Sequence, residues 1–217
     1  MIYLLATNNP SKASEIRPMF AAAKLELITL ADLGLYFEAK EDGQTFAHNA
    51  MQKAAETAAF LKRQALLATG DYSKFLSPFN VTVLADDSGL VIDALDGEPG
   101  VDSALYLGRD TSYHDKCQSL LDRLAGTPDD RRTARFICVI ACIMPDGSQH
   151  MAEGISEGLI AHEASGEYGF GYDPIFYYLP YGKTLAQLSQ DEKNKISHRG
   201  QAVLKMIGLI KDANFSN

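Results

Sequence analysis

Asp86 and Asp87 follow an apolar run, Val81–Ala85, and lead into Ser88 and Gly89. Two adjacent carboxylates repel each other unless a cation neutralises them or water solvates them. A hard ion such as Mg²⁺ suits the pair, because it takes one or two carboxylates and completes its shell with water and substrate phosphates. A carboxylate so placed can also accept the proton of an attacking water. An Asp-rich turn before a hairpin has the same composition, so the pair alone leaves both readings open.

Three other polar clusters are candidates. Thr7-Asn8-Asn9-Pro10-Ser11-Lys12 falls at a strand–turn–helix junction. Free N–H groups at a helix start attract anions, and Lys12 adds a full positive charge; an ordinary polar turn would look the same. Asn49 and Lys53 are four residues apart, so on a helix they share a face. Toward a cleft they can hold phosphate, whereas toward water they are solvation; His48 beside them reads as a surface or packed residue. Gly169-Phe170-Gly171-Tyr172-Asp173-Pro174 can wrap a planar base, with Phe170 stacking and Asp173 accepting from N–H donors. Downstream, Lys193 and Ser197-His198-Arg199-Gly200 offer donors for keto or phosphate oxygens. Against that, Tyr177 and Tyr178 are core or interface candidates, and Asp191-Glu192-Lys193 reads as a solvated charge run. No GxxxxGK[ST], HExxH or GxSxG occurs, which disfavours a P-loop ATPase, a zinc protease and an α/β-hydrolase.

The positioning elements follow from periodicity. Ile2–Ala6 predicts a strand, and Ser11 is the expected cap of a helix carrying Ile16, Met19, Phe20 and Ala23, which Pro18 should kink or shorten. Leu25–Leu30 alternates like a half-exposed strand. Thr45–Arg63 is the strongest helix, with Thr45 as cap. Residues 64–80 predict an inserted loop or broken helix. Val81–Ala85 predicts a buried strand, and 113–125 a helix with Cys117, Leu120, Leu121 and Leu124 as its stripe. Arg135–Met144 predicts a long strand, followed by a turn and strands at about His150–Ile155 and Gly158–Ala161. The C-terminal segment reads helical, with Val203, Met206, Ile207 and Ile210 on one face. Strands alternating with helices, then hairpin-like strands, predict an α/β fold with a mixed sheet.

Composition sets limits. The chain has 217 residues, 46% hydrophobic and 22% charged, as one globular domain or one domain with two lobes would. Acidic residues outnumber basic ones, 28 against 20, for a net charge of −8. Such a balance is poor for duplex nucleic acid, whose backbone demands a positive surface. It still permits a small phosphorylated ligand where cations gather locally. Cys117, Cys138 and Cys142 form no CxxC, and predict buried thiols in a reducing compartment. No apolar stretch is long enough for a membrane span, and the opening MIYLLATNNPSK lacks a basic leader, so a cytoplasmic protein is expected.

Together the clusters carry a resemblance. LLATNNPSK, GQTFAHNAMQKA, LADDSGLVIDALDGEPGVDSA, ARFICVIAC, GEYGFGYDPIF and EKNKISHRGQAV, in that order from Leu4 to Val203, resemble the inosine/xanthosine triphosphate pyrophosphatases (Ham1/RdgB-like proteins). The resemblance implies an elongated α/β fold spanning 1–217 as a single domain, with a long twisted mixed sheet and an active-site cleft between two lobes. It also implies Mg²⁺-dependent hydrolysis of ITP, dITP or XTP to monophosphate and pyrophosphate by a homodimer, with Mn²⁺ as an alternative ion.

By motif match, Thr7, Asn8, Asn9, Pro10, Ser11 and Lys12 are the triphosphate turn, with Asn8 where the family commonly has Gly. Asp87 is the proton acceptor and metal carboxylate, Asp86 its support, and Ser88 a substrate contact. Glu41 corresponds to a second metal carboxylate, and Asn49 and Lys53 face the phosphates. Phe170, Gly171, Tyr172 and Asp173 form the base segment; Lys193, His198 and Arg199 complete the substrate contacts. Three departures stand out: His48 replaces a family Glu, Leu105 replaces an Arg, and the 64–80 segment is longer than usual. Alternative functions are a Maf-like pyrophosphatase with pyrimidine or broader preference, and a catalytically weak nucleotide-binding protein.

Overall fold

The computed structural model describes residues 2–67 and 81–215. Strand β1, Ile2–Leu5, is apolar and almost wholly buried, and ends in the polar turn before helix α1, Pro10–Ala22. Asn9, not Ser11, caps that helix: its Oδ1 accepts from the N–H of Ser11 at 2.9 Å and of Lys12 at 3.3 Å. Pro10 then occupies the first turn, where its missing N–H is harmless. Pro18 lies inside α1, yet the helix continues to Ala22. Strand β2 is Leu27–Thr29, shorter than the alternation suggested.

Helix α2, Phe46–Leu67, starts at Thr45, whose Oγ1 accepts from the His48 N–H at 3.1 Å. It runs four residues past Arg63, because Gln64, Ala65, Leu66 and Leu67 are all good helix formers. The expected insert therefore begins as helix, and its remainder, 68–80, lies outside the described residues.

Strand β3, Val81–Ile92, is the main departure from expectation. The apolar run was expected to end at Ala85, leaving Asp86–Gly89 as a turn. The strand instead continues through all four, and nine of its twelve residues are buried, the pattern of an interior strand covered on both faces. Helix α3 is Tyr113–Arg123, with Cys117, Leu120 and Leu121 buried along it and Leu124 at its C-cap. Strand β4, Thr133–Ile143, matches the long apolar run.

The two short strands expected after the turn are one, β5, Gln149–Ile160. Gly158 does not break it. A Cβ there would lie 2.6 Å from the Tyr177 carbonyl and 2.7 Å from the Phe176 ring, so glycine admits the neighbouring strand rather than ending this one. Strands β6, Phe176–Tyr178, and β7, Lys183–Thr184, then helices α4, Gln190–Ile196, and α5, His198–Phe215, complete the chain.

The sheet is open and mixed, in the order β2-β1-β3-β4-β5-β6-β7. β1 lies parallel to β2 and β3, while β5–β6 and β6–β7 are antiparallel. Two compact units result. The first comprises Met1–Asp87, Val139–Glu153 and Ala202–Asn217, with a core that includes Leu4, Leu30, Ala50, Ala54, Val83 and Val139. The second comprises Ser88–Cys138 and Gly154–Gln201, with Leu90, Ile92, Leu120, Phe136, Phe176 and Leu185 at its centre. Val203, Met206, Ile207 and Ile210 of α5 are buried as expected, and all three cysteines are free and buried. Among the described residues no helix is long and apolar enough to cross a membrane.

The close approach at Gly158 sets a stability prediction. Gly158→Ala should destabilise the protein by ~1–3 kcal/mol, the usual range for overpacking against backbone that cannot yield. Equilibrium urea denaturation checks it; an unchanged midpoint would show that β6 gives way freely.

Candidate active site

In the first unit the polar clusters converge on β3. Asp86 and Asp87 are 1% and 5% exposed, so both carboxylates are inside the protein rather than on a solvated turn. Asp86 Oδ2 pairs with Lys12 Nζ at 2.9 Å, and its backbone carbonyl accepts from Lys53 Nζ at 3.0 Å. Asp87 Oδ2 accepts from Asn49 Nδ2 at 3.0 Å. Lys53 Nζ also reaches Glu41 Oε1, at 2.6 Å.

Each of these side chains is held from behind. The Asn9 cap fixes the first turn of α1 and with it Lys12, and Asn9 itself donates its backbone N–H to Thr7 Oγ1 at 3.1 Å. Asn8 Nδ2 donates to the Phe37 carbonyl at 3.0 Å, tying the turn to the segment before α2. Asn49 and Lys53 do share one face of α2, and that face points to β3. Asn49 Oδ1 accepts from the Gly43 N–H at 2.8 Å, which leaves its Nδ2 directed at Asp87. His48 lies against the same loop: a Cβ on Gly43 would come within 2.3 Å of His48 Nδ1.

Electrostatics separate the two aspartates. Burial pushes the Asp87 carboxyl pKa above its ordinary value, more than the positive charges of Lys53 and Lys12 and the Asn49 hydrogen bond pull it down. The nearby Glu41 charge raises it further. A carboxylate that holds its proton more firmly than usual is a better proton acceptor when ionised.

The second unit gathers the aromatic loop and the C-terminal cations. Asp173 Oδ2 accepts from the Phe170 N–H at 2.8 Å and pairs with Lys193 Nζ at 2.5 Å. Both side chains are almost fully buried. Gly169 is required there, because a Cβ would meet Asp173 Oδ2 at 2.2 Å and its φ is +74°. Phe170 is half-buried, with Lys193 Nζ 5.0 Å and Arg199 Cζ 5.3 Å from its ring centroid. Arg199 donates to Ser88 Oγ at 2.9 Å. His198 is buried and stacks on Phe136 at 4.6 Å. Tyr172 is buried too, and its hydroxyl donates to the Ser103 carbonyl at 2.8 Å.

Lys193 therefore does not belong to a solvated charge run. Glu192 turns back to close a capping box with Ser189, and Lys193 points inward. Sequence reasoning missed Gly43, Ser103, Tyr113 and Lys116, which hold site residues without resembling any reactive motif. A lysine in the apolar stripe of α3 was the one signal available for the last of these.

Among the described residues no group of three or more His, Cys, Asp or Glu side chains is placed to hold a metal ion. Mg²⁺ needs fewer protein ligands, since substrate and water supply the rest. Asp87 and Glu41 fit that requirement: both are hard oxygen donors, and burial, with a smaller contribution from the Glu41 charge, raises the Asp87 pKa, a cost that a cation would relieve.

An open mixed α/β sheet, with a buried carboxylate–lysine centre in one unit and a cation–aromatic loop in the other, defines the class. The Ham1 family profile matches residues 3–209, and the chain belongs to the Ham1 family. It is 43% identical over 213 residues to the dITP/XTP pyrophosphatase of Desulforamulus reducens, covering 97% of this chain and 96% of that one. With the dITP/XTP pyrophosphatase of Bacillus subtilis it shares 40% over 208 residues, 96% of each. The solved structure of the Staphylococcus aureus Ham1 protein superimposes with a TM-score of 0.80 at 36% identity, covering 98% of this chain and all of that one.

The raised Asp87 pKa fixes the sign of a pH effect. Ionised Asp87 is disfavoured in the folded protein relative to the unfolded chain, so its charge lowers stability at pH values above its folded pKa. That loss disappears as pH falls through the folded pKa to below the ordinary value of 3.8. Asp87→Asn should accordingly melt higher than the unaltered protein at neutral pH, with the difference shrinking under acid. Differential scanning calorimetry from pH 4 to 8 reads it, and a lower melting temperature at pH 7 would reverse the assignment of sign.

Proposed function

We propose that the protein hydrolyses nucleoside triphosphates bearing deaminated purines, namely ITP, dITP and XTP, to the monophosphate and pyrophosphate. The observation that carries this reading is the buried Asp87, with Lys12, Lys53 and Asn49 around it, in a chain whose relatives are named dITP/XTP pyrophosphatases.

The chemistry follows from charge. A triphosphate carries about four negative charges near neutral pH, and these repel an incoming nucleophile until they are masked. Lys12 and Lys53 supply local positive charge in a protein whose net charge is −8. Asn8 and Ser11 lie at the start of α1, where anions are favoured, and Thr7, Asn9 and Pro10 shape that turn around them. Asp87 accepts the proton of the water that attacks the α phosphorus; the bond to the bridging oxygen breaks, and pyrophosphate leaves. Asp86 holds Lys12 in place. Mg²⁺, or Mn²⁺ in its stead, held by Asp87 and Glu41, would supply further masking of phosphate charge when bound.

The second unit contributes base recognition. Phe170 offers a half-buried ring whose position is fixed by Lys193, Arg199 and the loop hydrogen bonds. Hypoxanthine and xanthine present a keto oxygen at C6, where adenine presents an amino group. A buried donor at that place pairs with the former and is left facing another donor by the latter, a mismatch worth up to ~10⁴-fold. Tyr172 and Asp173 serve by holding the loop, and Arg199 meets substrate beside Ser88. The protein works in the reducing cytoplasm, consistent with three free buried thiols, as a homodimer, without nucleic acid or membrane as partner.

Pyrophosphate release measured with ITP, dITP, XTP, ATP, GTP and UTP, with Mg²⁺ and with chelator, tests the reading. Deaminated purines should be turned over far faster than the rest, and chelation should stop the reaction. Asp87→Asn should reduce kcat by about 10²–10⁴-fold, the range for a lost general base. Equal rates for ITP and ATP, or a pyrimidine preference, would overturn the substrate assignment.

A further inference from the structure

The loop 169–173 is held on one side by Asp173 and Lys193. Its other side rests on the first turn of α3, where Tyr113, Lys116 and Cys117 lie at i, i+3 and i+4 and so share a face. Tyr113 packs edge-on against the Tyr172 ring, with centroids 5.3 Å apart. The Tyr113 ring also covers Gly171, whose Cβ, if present, would lie 3.6 Å from it. Cys117 Sγ lies 3.7 Å from the Gly171 carbonyl.

Lys116 is the unexpected member. Only 1% of it is exposed, and burial lowers its ammonium pKa, so its charge is kept inside against a desolvation cost. Nζ donates to the Ala104 carbonyl at 2.7 Å and lies 5.0 Å from the Tyr113 ring centroid. Ala104 follows Ser103, whose carbonyl takes the Tyr172 hydroxyl and whose Oγ accepts from the Leu90 N–H at 2.9 Å. The one ammonium thus joins the 103–104 turn to the ring that covers Gly171. An aliphatic side chain would fill the same space at lower cost, but could make neither contact with comparable direction.

We infer that Lys116 is a positioning residue for nucleotide-base recognition: by fixing Tyr113 and the Ser103–Ala104 turn, it sets the place of Gly171 and Tyr172 and hence the presentation of Phe170. The role rests on the proposed function, because only a bound base would read the loop's position. It predicts a split that a general structural role would not produce: base binding weakens while the phosphate chemistry, served by other residues, is unchanged.

The test compares Lys116→Met, which keeps the stem and removes the charge, with the unaltered protein in ITP hydrolysis and in amide hydrogen exchange across 170–175. KM for ITP should rise about five- to tenfold with kcat held within about twofold, as expected for a residue that acts through another. Protection of the 170–175 amides should fall. Tyr113→Leu should give the same pattern, and Tyr113→Phe, which retains the ring, should behave as the unaltered protein. Unchanged KM and exchange in Lys116→Met or Tyr113→Leu overturns the role, as does a loss confined to kcat. Should Lys116→Met not fold, the Tyr113 pair decides. Failure of the unaltered protein to hydrolyse ITP would sink the functional reading separately, while the exchange comparison would still decide whether Lys116 orders the loop.

Discussion

Keeping an ionisable carboxylate inside a β-strand is the constraint around which the first unit is organised. Asp87 is almost fully buried, and an unaccompanied charge there would be strongly disfavoured. The compensation comes from separate pieces of chain: Asn49 from α2 by hydrogen bond, and Lys53 and Lys12 by charge. Compensation is incomplete, and the carboxyl retains a raised pKa. On the function proposed above, that residue of unfavourable energy is what suits Asp87 to accept a proton.

Asp86 shows the contrast one residue away. Successive side chains in a strand turn to opposite faces, so adjacent identical residues need not share an environment. Asp86 has Lys12 at 2.9 Å, while its carbonyl receives Lys53. It anchors the lysines that Asp87 feels at longer range. Two aspartates that look redundant in sequence thus have different surroundings, Asp86 against Lys12 and Asp87 against Asn49. The second unit repeats the anchoring half of that scheme: Asp173 is consumed by Lys193 and the Phe170 N–H, and its purpose is the shape of the loop.

The reach of the sequence was set by how local the deciding interactions are. The capped start of α2 and the α3 stripe depend on spacing within a few residues, and both appear in the structure. The mixed sheet followed from alternation of element types. The end of β3 did not, because Asp86–Gly89 has turn composition and is kept extended by strands and helices from elsewhere in the chain. Gly158 misled for the same reason: its small size answers to Tyr177 and Phe176, not to its neighbours in sequence. Among site residues, reactive types were visible, but which carboxylate was already spent on a structural bond was not. Asp173 and Asp87 are indistinguishable until their partners are known.

Departures from the family pattern become intelligible at the level of contacts. Leu105 stands where relatives were expected to carry an arginine, and it is exposed; the carbonyl just before it is nevertheless held by a cation, Lys116, supplied from α3. His48 stands where a carboxylate was expected, and its ring lies over Gly43, whose N–H holds Asn49 in the orientation that serves Asp87. Both substitutions leave intact the hydrogen bonds described for Asp87 and for the 103–104 turn, because neither His48 nor Leu105 contributes a side-chain atom to them: Asn49 serves Asp87, and Lys116 serves the Ala104 carbonyl. Backbone donors and acceptors persist whatever side chain occupies the position, so local motifs can drift while the carboxylate keeps its surroundings.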